Sequence, residues 1–112
     1  MSDLARVEVD GTGTRCVVRV IGEVDMSNAH ELGRTIAQAV QKGDTELVVD
    51  LTETEYLDSA GVAVLLRLAT RLRARRLLLR VLAPPEAPVR GVLELTGATG
   101  MFELVSQLDP AP

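Results

Sequence analysis

Residues 47–66 read LVVDLTETEYLDSAGVAVLL, and their character changes twice. The run opens on Leu47, Val48, Val49 and Leu51, apolar and rich in β-branching, broken only by Asp50. That is the pattern of a short buried strand. It closes on Val62, Leu65, Leu66 and Ala69, which recur at helical spacing. Between the two stands Asp58-Ser59-Ala60-Gly61. A strand that gives way to a helix at Asp-Ser-small-Gly is a corner, and the first amides of a helix lack partners at the positive end of its dipole. The corner is expected to keep those N–H groups free and to bind or carry an anion, with Ser59 as the residue presented.

Towards the N-terminus, residues 4–9 alternate, with Ala5, Val7 and Val9 on one side and Arg6 and Glu8 on the other. This is a half-buried strand. Gly11-Thr12-Gly13-Thr14 is a turn, and residues 16–24 form a second strand ending in Gly22-Glu23-Val24-Asp25. The two make an antiparallel hairpin. A helix follows, with Asn28 as N-cap and Glu31 placed for a capping box. Its apolar stripe is Ala29, Leu32, Ile36, Ala39 and Val40, and Gly43 is its expected stop. Gly33, inside it, costs about 1 kcal/mol of helix propensity against alanine.

Towards the C-terminus, residues 52–57, TETEYL, read as a loop leading to the corner. The helix over about residues 59–75 is expected to bury Val62, Leu65, Leu66, Leu68, Ala69 and Leu72. Ala63, Val64, Arg67, Thr70 and Arg71 fall on its outward arc, and Arg73, Arg75 and Arg76 crowd its last turn, where cations suit the dipole. Residues 77–82 are a strand, ended by Pro84 and Pro85. Pro88 opens a short helix with Val89, Val92, Leu93 and Leu95 inward and Gly97 as its stop. Residues 102–105 add a last strand. The expected fold is α/β: one domain over residues 1–112, with a mixed sheet of four to five strands, helices packed against it and an opening β-hairpin. The core spans about residues 4–106, and residues 107–112 are a frayed tail.

Composition narrows the function. Apolar residues make up 46% of the 112, enough for a core. A formal charge of -4 argues against a nucleic-acid binder. No run approaches the ~20 apolar residues of a membrane span, and the first residues lack a signal-peptide pattern. Cys16 stands alone, which excludes an internal disulfide and a cysteine zinc cluster. The expectation is a cytoplasmic protein with no metal, no cofactor, and no nucleic-acid or membrane partner.

With these segments in order, the chain resembles the STAS domain family of bacterial anti-sigma factor antagonists. Gly22-Glu23-Val24-Asp25 is similar to the family's GELD at the end of the second strand. Val49-Asp50-Leu51 followed by Leu57-Asp58-Ser59-Ala60-Gly61 resembles its strand-loop-DSSG segment, and Leu93-x-Leu95-Thr96-Gly97 its late helix. The match covers about residues 4–106. The resemblance implies a phosphorylation switch. In the family, the first serine of DSSG is phosphorylated by a partner anti-sigma factor that is itself an ATP-dependent serine kinase. The unphosphorylated protein binds that partner and frees a sigma factor, and a serine phosphatase removes the mark. That serine corresponds to Ser59. The second serine of the motif is Ala60 here, and many members continue past the position of Val105 into a closing amphipathic helix.

Each candidate has a plainer reading beside the functional one. Ser59 is either the phosphorylation site or an ordinary helix starter. Asp58 is expected mainly as an N-cap. The resemblance implies that Asp25 receives the partner; its plainer role is to set the turn before the first helix. Val64, about one and a half turns beyond Ser59, is either part of the partner interface or an unremarkable exposed apolar residue. The expected partner surface is Asp25, Asp58, Ser59, Ala60, Gly61 and Val64. Arg67, Arg71 and His30 read as solvated surface, and Cys16 as core.

Three functions compete. The first is a phosphorylatable anti-sigma factor antagonist. The second is a STAS subunit of a larger signalling or transport assembly that acts without phosphorylation. The third is a hydrolase with Ser59 as nucleophile. The sequence opposes the hydrolase, because no G-x-S-x-G surrounds the serine and the single histidine has no evident link to it.

Overall fold

A computed structural model describes residues 5–110. Leu4, with which the first strand was expected to begin, and the tail residues Ala111 and Pro112 lie outside the described residues. Strands β1 (Ala5–Thr12) and β2 (Arg15–Val24) form the expected antiparallel hairpin, closed by the two-residue turn Gly13-Thr14 with Gly13 at φ 63°. Helix α1 (Ala29–Ala39), strand β3 (Glu46–Asp50), strand β4 (Thr54–Leu57) and helix α2 (Ser59–Ala74) follow. Strand β5 (Leu78–Leu82), helix α3 (Arg90–Gly97) and strand β6 (Glu103–Val105) complete the order.

Among the described residues the sheet has six strands, in the order β1-β2-β3-β5-β6 with β4 also on β2. All pairings except β1–β2 are parallel. Residues 52–57 were expected as loop, and four of them are strand instead. The cause lies in β2, which at ten residues is twice the length of β3. Its first half pairs with β3, and its last residues, Gly22–Val24, would be an open edge without β4. The handover is a register shift between Gly22 and Glu23, and Gly22 takes φ 111°, a conformation glycine adopts without a Cβ clash. Thr54 is fully buried there, its hydroxyl donating to the Val20 carbonyl at 2.8 Å.

One face of the sheet carries the core. Val18, Val20, Leu47, Val49, Leu79 and Val81 point to that side and pack with the buried residues of α1 and α2. The buried stripe of α2 is Gly61, Val64, Leu65, Leu68, Ala69 and Leu72. Two expectations therefore change places. Val64 is 5% exposed and in the core, whereas Val62 and Leu66 are only half-buried. The reason is α1, which lies against the flank of α2 where Val64 stands: a Cβ built on Gly33 would come within 2.9 Å of Val64 Cγ1. The outward ridge of α2 is instead Ser59, Ala63, Leu66 and Thr70, spaced at four, three and four residues.

The other face is a ladder of ion pairs. Glu46 bridges Arg15 at 2.9 Å and Arg80 at 3.0 Å, and Arg80 reaches Glu103 at 3.2 Å. Val48, fully buried, lies on this face. The Arg15 guanidinium also donates to the Asp109 carbonyl at 2.7 Å, so the tail expected to fray is held at that residue.

Helix ends differ from the sequence reading in four places. Asn28 occupies the N-cap position of α1 but bonds none of its amides. Gly43 is not the stop of α1; it lies in a turn three residues past the extended C-cap Val40. α3 begins at Arg90 rather than at Pro88; Val89, just ahead of it, and Leu93 are buried as expected, Val92 is half-buried, Thr96 joins the inward side, and Leu95 is 78% exposed. Gly97 is the last residue of α3, ahead of a helical C-cap at Ala98, and the positive φ of that end falls at Gly100.

Candidate functional site

The corner between β4 and α2 is built by Asp58. As N-cap it is extended (φ -94°, ψ -173°), and its Oδ1 accepts from the Ala60 amide at 2.9 Å and the Gly61 amide at 3.2 Å. Its own amide donates to the Val24 carbonyl at 3.2 Å, which ties the corner to the end of β2. Of the four amides that a helix start leaves open, three are thereby satisfied. Among the described residues the Ser59 amide is the one without a partner. The expected cradle of free N–H groups is corrected accordingly: a carboxylate of the chain already fills it.

Ser59 is exposed, and its hydroxyl makes no hydrogen bond among the described residues. His30 is on α1, beside Arg34 in the cleft between the helices, so no imidazole activates Ser59 within the corner. Ala60 is half-buried. Gly61 is buried because the helix start presses onto the strands: a Cβ there would collide with Leu57 and come within 3.0 Å of Val24 Cγ1. Its place in the motif therefore has a packing cause.

Asp25 leaves the sheet beside Asp58, since Val24 and Leu57 are register partners. Its Oδ1 accepts from the Ser27 hydroxyl and, at 2.8 Å, from the Ser27 amide. The Ser27 hydroxyl bond first, and the amide bonds second, hold the Asp25 carboxyl below its ordinary range. Asn28 straddles the same turn, accepting from the Asp25 amide at 3.0 Å and donating to the Glu23 carbonyl at 2.9 Å. That work explains why Asn28 does not cap α1.

The structure thus brings Asp25, Asp58, Ser59 and Ala60 to one rim, puts Gly61 beneath it and removes Val64 to the core. It also adds two side chains the sequence reading missed. Met26, 83% exposed, follows Asp25, and Tyr56, 51% exposed, pairs with Glu23 two residues before Asp58. The signal was present for Met26, a large apolar residue directly after the GEVD segment. Cys16 is core as expected, its thiol pushed up by burial and donating to the Ala39 carbonyl at 3.5 Å.

Comparison with known proteins gives a consistent picture. A family model described as Mlab, STAS domain, matches residues 7–106. A Bordetella bronchiseptica protein assigned as the anti-sigma factor antagonist BtrV is 33% identical over 104 residues, which are 93% of this chain and 86% of that one. The crystal structure of an anti-sigma factor antagonist from Mycobacterium paratuberculosis superposes with a TM-score of 0.72 at 29% identity, covering 94% of this chain and 88% of the other. The Bacillus cell fate determinant SpoIIAA, in its phosphorylated form, shares the fold at a TM-score of 0.66 and 21% identity, covering 91% and 93%. Among the described residues no helix is long and apolar enough to cross a membrane.

Proposed function

Because this chain belongs to the STAS family of anti-sigma factor antagonists, we propose that it binds a serine-kinase anti-sigma factor and is switched off when that kinase phosphorylates Ser59. Proteins of this family are regulatory binding proteins rather than enzymes. In the unphosphorylated state the chain docks through the rim of Asp25, Asp58, Ser59 and Ala60, and the sigma factor is released. A serine phosphatase restores the docking state.

One observation carries this reading. Ser59 is exposed at the first position of a capped helix, with its hydroxyl unengaged among the described residues. Asp58 fixes the backbone on which the serine stands, so a kinase meets a rigid, accessible acceptor and supplies its own base. A phosphoserine carries roughly -1.5 to -2 charges at neutral pH. On an exposed rim that charge is hydrated; under a docked partner it must be desolvated, so the penalty falls on the complex.

A second reading is favoured by the Asp58 geometry. The amides of Ala60 and Gly61, which a phosphate at a helix start would use, are already bonded. In that reading the chain is a STAS subunit that docks without phosphorylation, and Ser59 only shapes the corner. The two are separated by incubating the protein and its Ser59→Ala variant with candidate serine-kinase anti-sigma factors and ATP, then mapping phosphate by mass spectrometry. Phosphate on Ser59, absent from the variant, supports the switch. Binding without phosphate transfer by an active kinase supports the second reading.

A further inference from the structure

The chain is acidic, with 16 carboxylates against 12 basic side chains, yet one groove gathers three arginines and no carboxylate. It lies between α1 and α2 and encloses about 70 Å³. His30 and Arg34 line it from α1, Arg67 and Arg71 from α2, and Gly33 and Val64 are part of its wall. All four of these polar side chains are exposed, and three of them are arginines. Among the described residues no carboxylate forms an ion pair with any of them; Lys42, Arg73, Arg75 and Arg76 are likewise without one, but only this groove sets three arginines around one cleft with no Asp or Glu in its lining.

This arrangement is unfavourable to the free chain. Arg67 and Arg71 stand four apart on one helix, where like charges repel. α2 has sixteen residues and no carboxylate to relieve them. Across the groove, Arg34 adds a third fixed charge, and the missing side chain at Gly33 lets the two helices approach closely. Concentrated, uncompensated charge in a cleft is complementary to an anion from outside.

We infer that the α1–α2 groove is a docking site for an acidic segment of a protein partner. The size of the groove suits one or two carboxylate side chains rather than a duplex, which would also bring its phosphates against the chain's net negative charge. Arg67, the first cation of the groove on α2, stands about two helical turns, or ~12 Å, along the helix from Ser59, within the span of one ordinary interface. That the segment belongs to the anti-sigma factor rests on the function proposed above; that it is acidic rests on the groove alone.

The test uses a fluorescent ten-residue peptide of alternating Glu and Asp, titrated into the full chain while backbone amide NMR signals are followed. The expected result is a set of shifts confined to α1 and α2 around the groove, with affinity falling at least about tenfold between ~50 and ~300 mM salt. The Arg67→Gln/Arg71→Gln double variant should lose binding at least about tenfold and melt no lower than the parent, since a repulsion is removed and glutamine suits a helix. Ser59→Asp should retain peptide binding, which separates failure of the groove from failure of the phosphorylation switch. Shifts elsewhere, unchanged affinity in the double variant, or a lower melting point for it would overturn the inference. So would binding of a twelve-base-pair duplex or of phosphatidylglycerol vesicles in the same groove without binding of the peptide.

Discussion

Gly33 of α1 and Val64 of α2 meet face to face, with 2.9 Å between Val64 Cγ1 and the place a Cβ on Gly33 would occupy. This contact fixes how α1 lies on α2, and so how the rim around Ser59 is held. It also settles what Val64 does: at 5% exposure it braces the helix pair from within. Val64→Asp should therefore destabilise the fold by more than about 3 kcal/mol, because a carboxylate is buried without a partner. Chemical denaturation measures this directly. Gly33→Ala gains about 1 kcal/mol of helix propensity but must overpack a stiff valine, typically costing 1–3 kcal/mol. Alone it should destabilise; in a Val64→Ala background, where the obstructing methyls are gone, it should stabilise. A double-mutant cycle reads that change of sign.

Asp58 satisfies two α2 amides with one oxygen. Asp58→Ala should cost about 1–2 kcal/mol, and Asp58→Asn much less, since asparagine caps nearly as well. Urea unfolding of the two variants distinguishes a capping role from a purely electrostatic one, which Asn would not rescue.

Helix α2 ends with Arg76 at φ 60°, the Leu77 amide returning to the Leu72 carbonyl at 2.8 Å and the Arg76 amide to Arg73 at 3.0 Å. This is the left-handed closure that glycine usually supplies. Arg76→Gly should stabilise the protein by about 0.5–1 kcal/mol, the relief of the left-handed conformation exceeding the extra chain entropy. A rise in the melting midpoint is the expected reading.

The Asp25 carboxyl is held below its ordinary value by Ser27. A carboxyl depressed in the folded state contributes stability above its unfolded value, and that contribution is lost as pH falls through the folded one. Asp25→Asn should therefore lower the melting temperature at pH ~6, and its deficit against the parent should fade below pH ~4. A deficit that stays constant over this range would mean that the charge on Asp25 contributes nothing.

The hairpin, the buried β3 strand, the corner and the Asp58 cap were legible in the sequence because each rests on neighbours in the chain. The misreadings have tertiary causes. Residues 58–74 hold apolar side chains on most arcs, and only the position of α1 decides that Val64 rather than Val62 is inside. β4 is four residues with two exposed, and it is a strand only because β2 outruns β3. Asn28 matches a capping box, yet the turn at Glu23 and Asp25 claims its side chain. At the corner, the sequence showed Asp58 as the cap and Ser59 as the first helical residue, but not the consequence, that Asp58 fills the anion site it helps to form.

The central claim is that Ser59 is the residue through which docking is turned off. Its most direct test is a titration of the unphosphorylated chain, the Ser59-phosphorylated chain and Ser59→Ala against the serine-kinase anti-sigma factor proposed as its partner. The phosphorylated chain should stay folded and lose about a thousandfold in affinity, equivalent to ~4 kcal/mol, while Ser59→Ala should bind as tightly as the unmodified chain. Equal affinity of the phosphorylated and unmodified chains would contradict it.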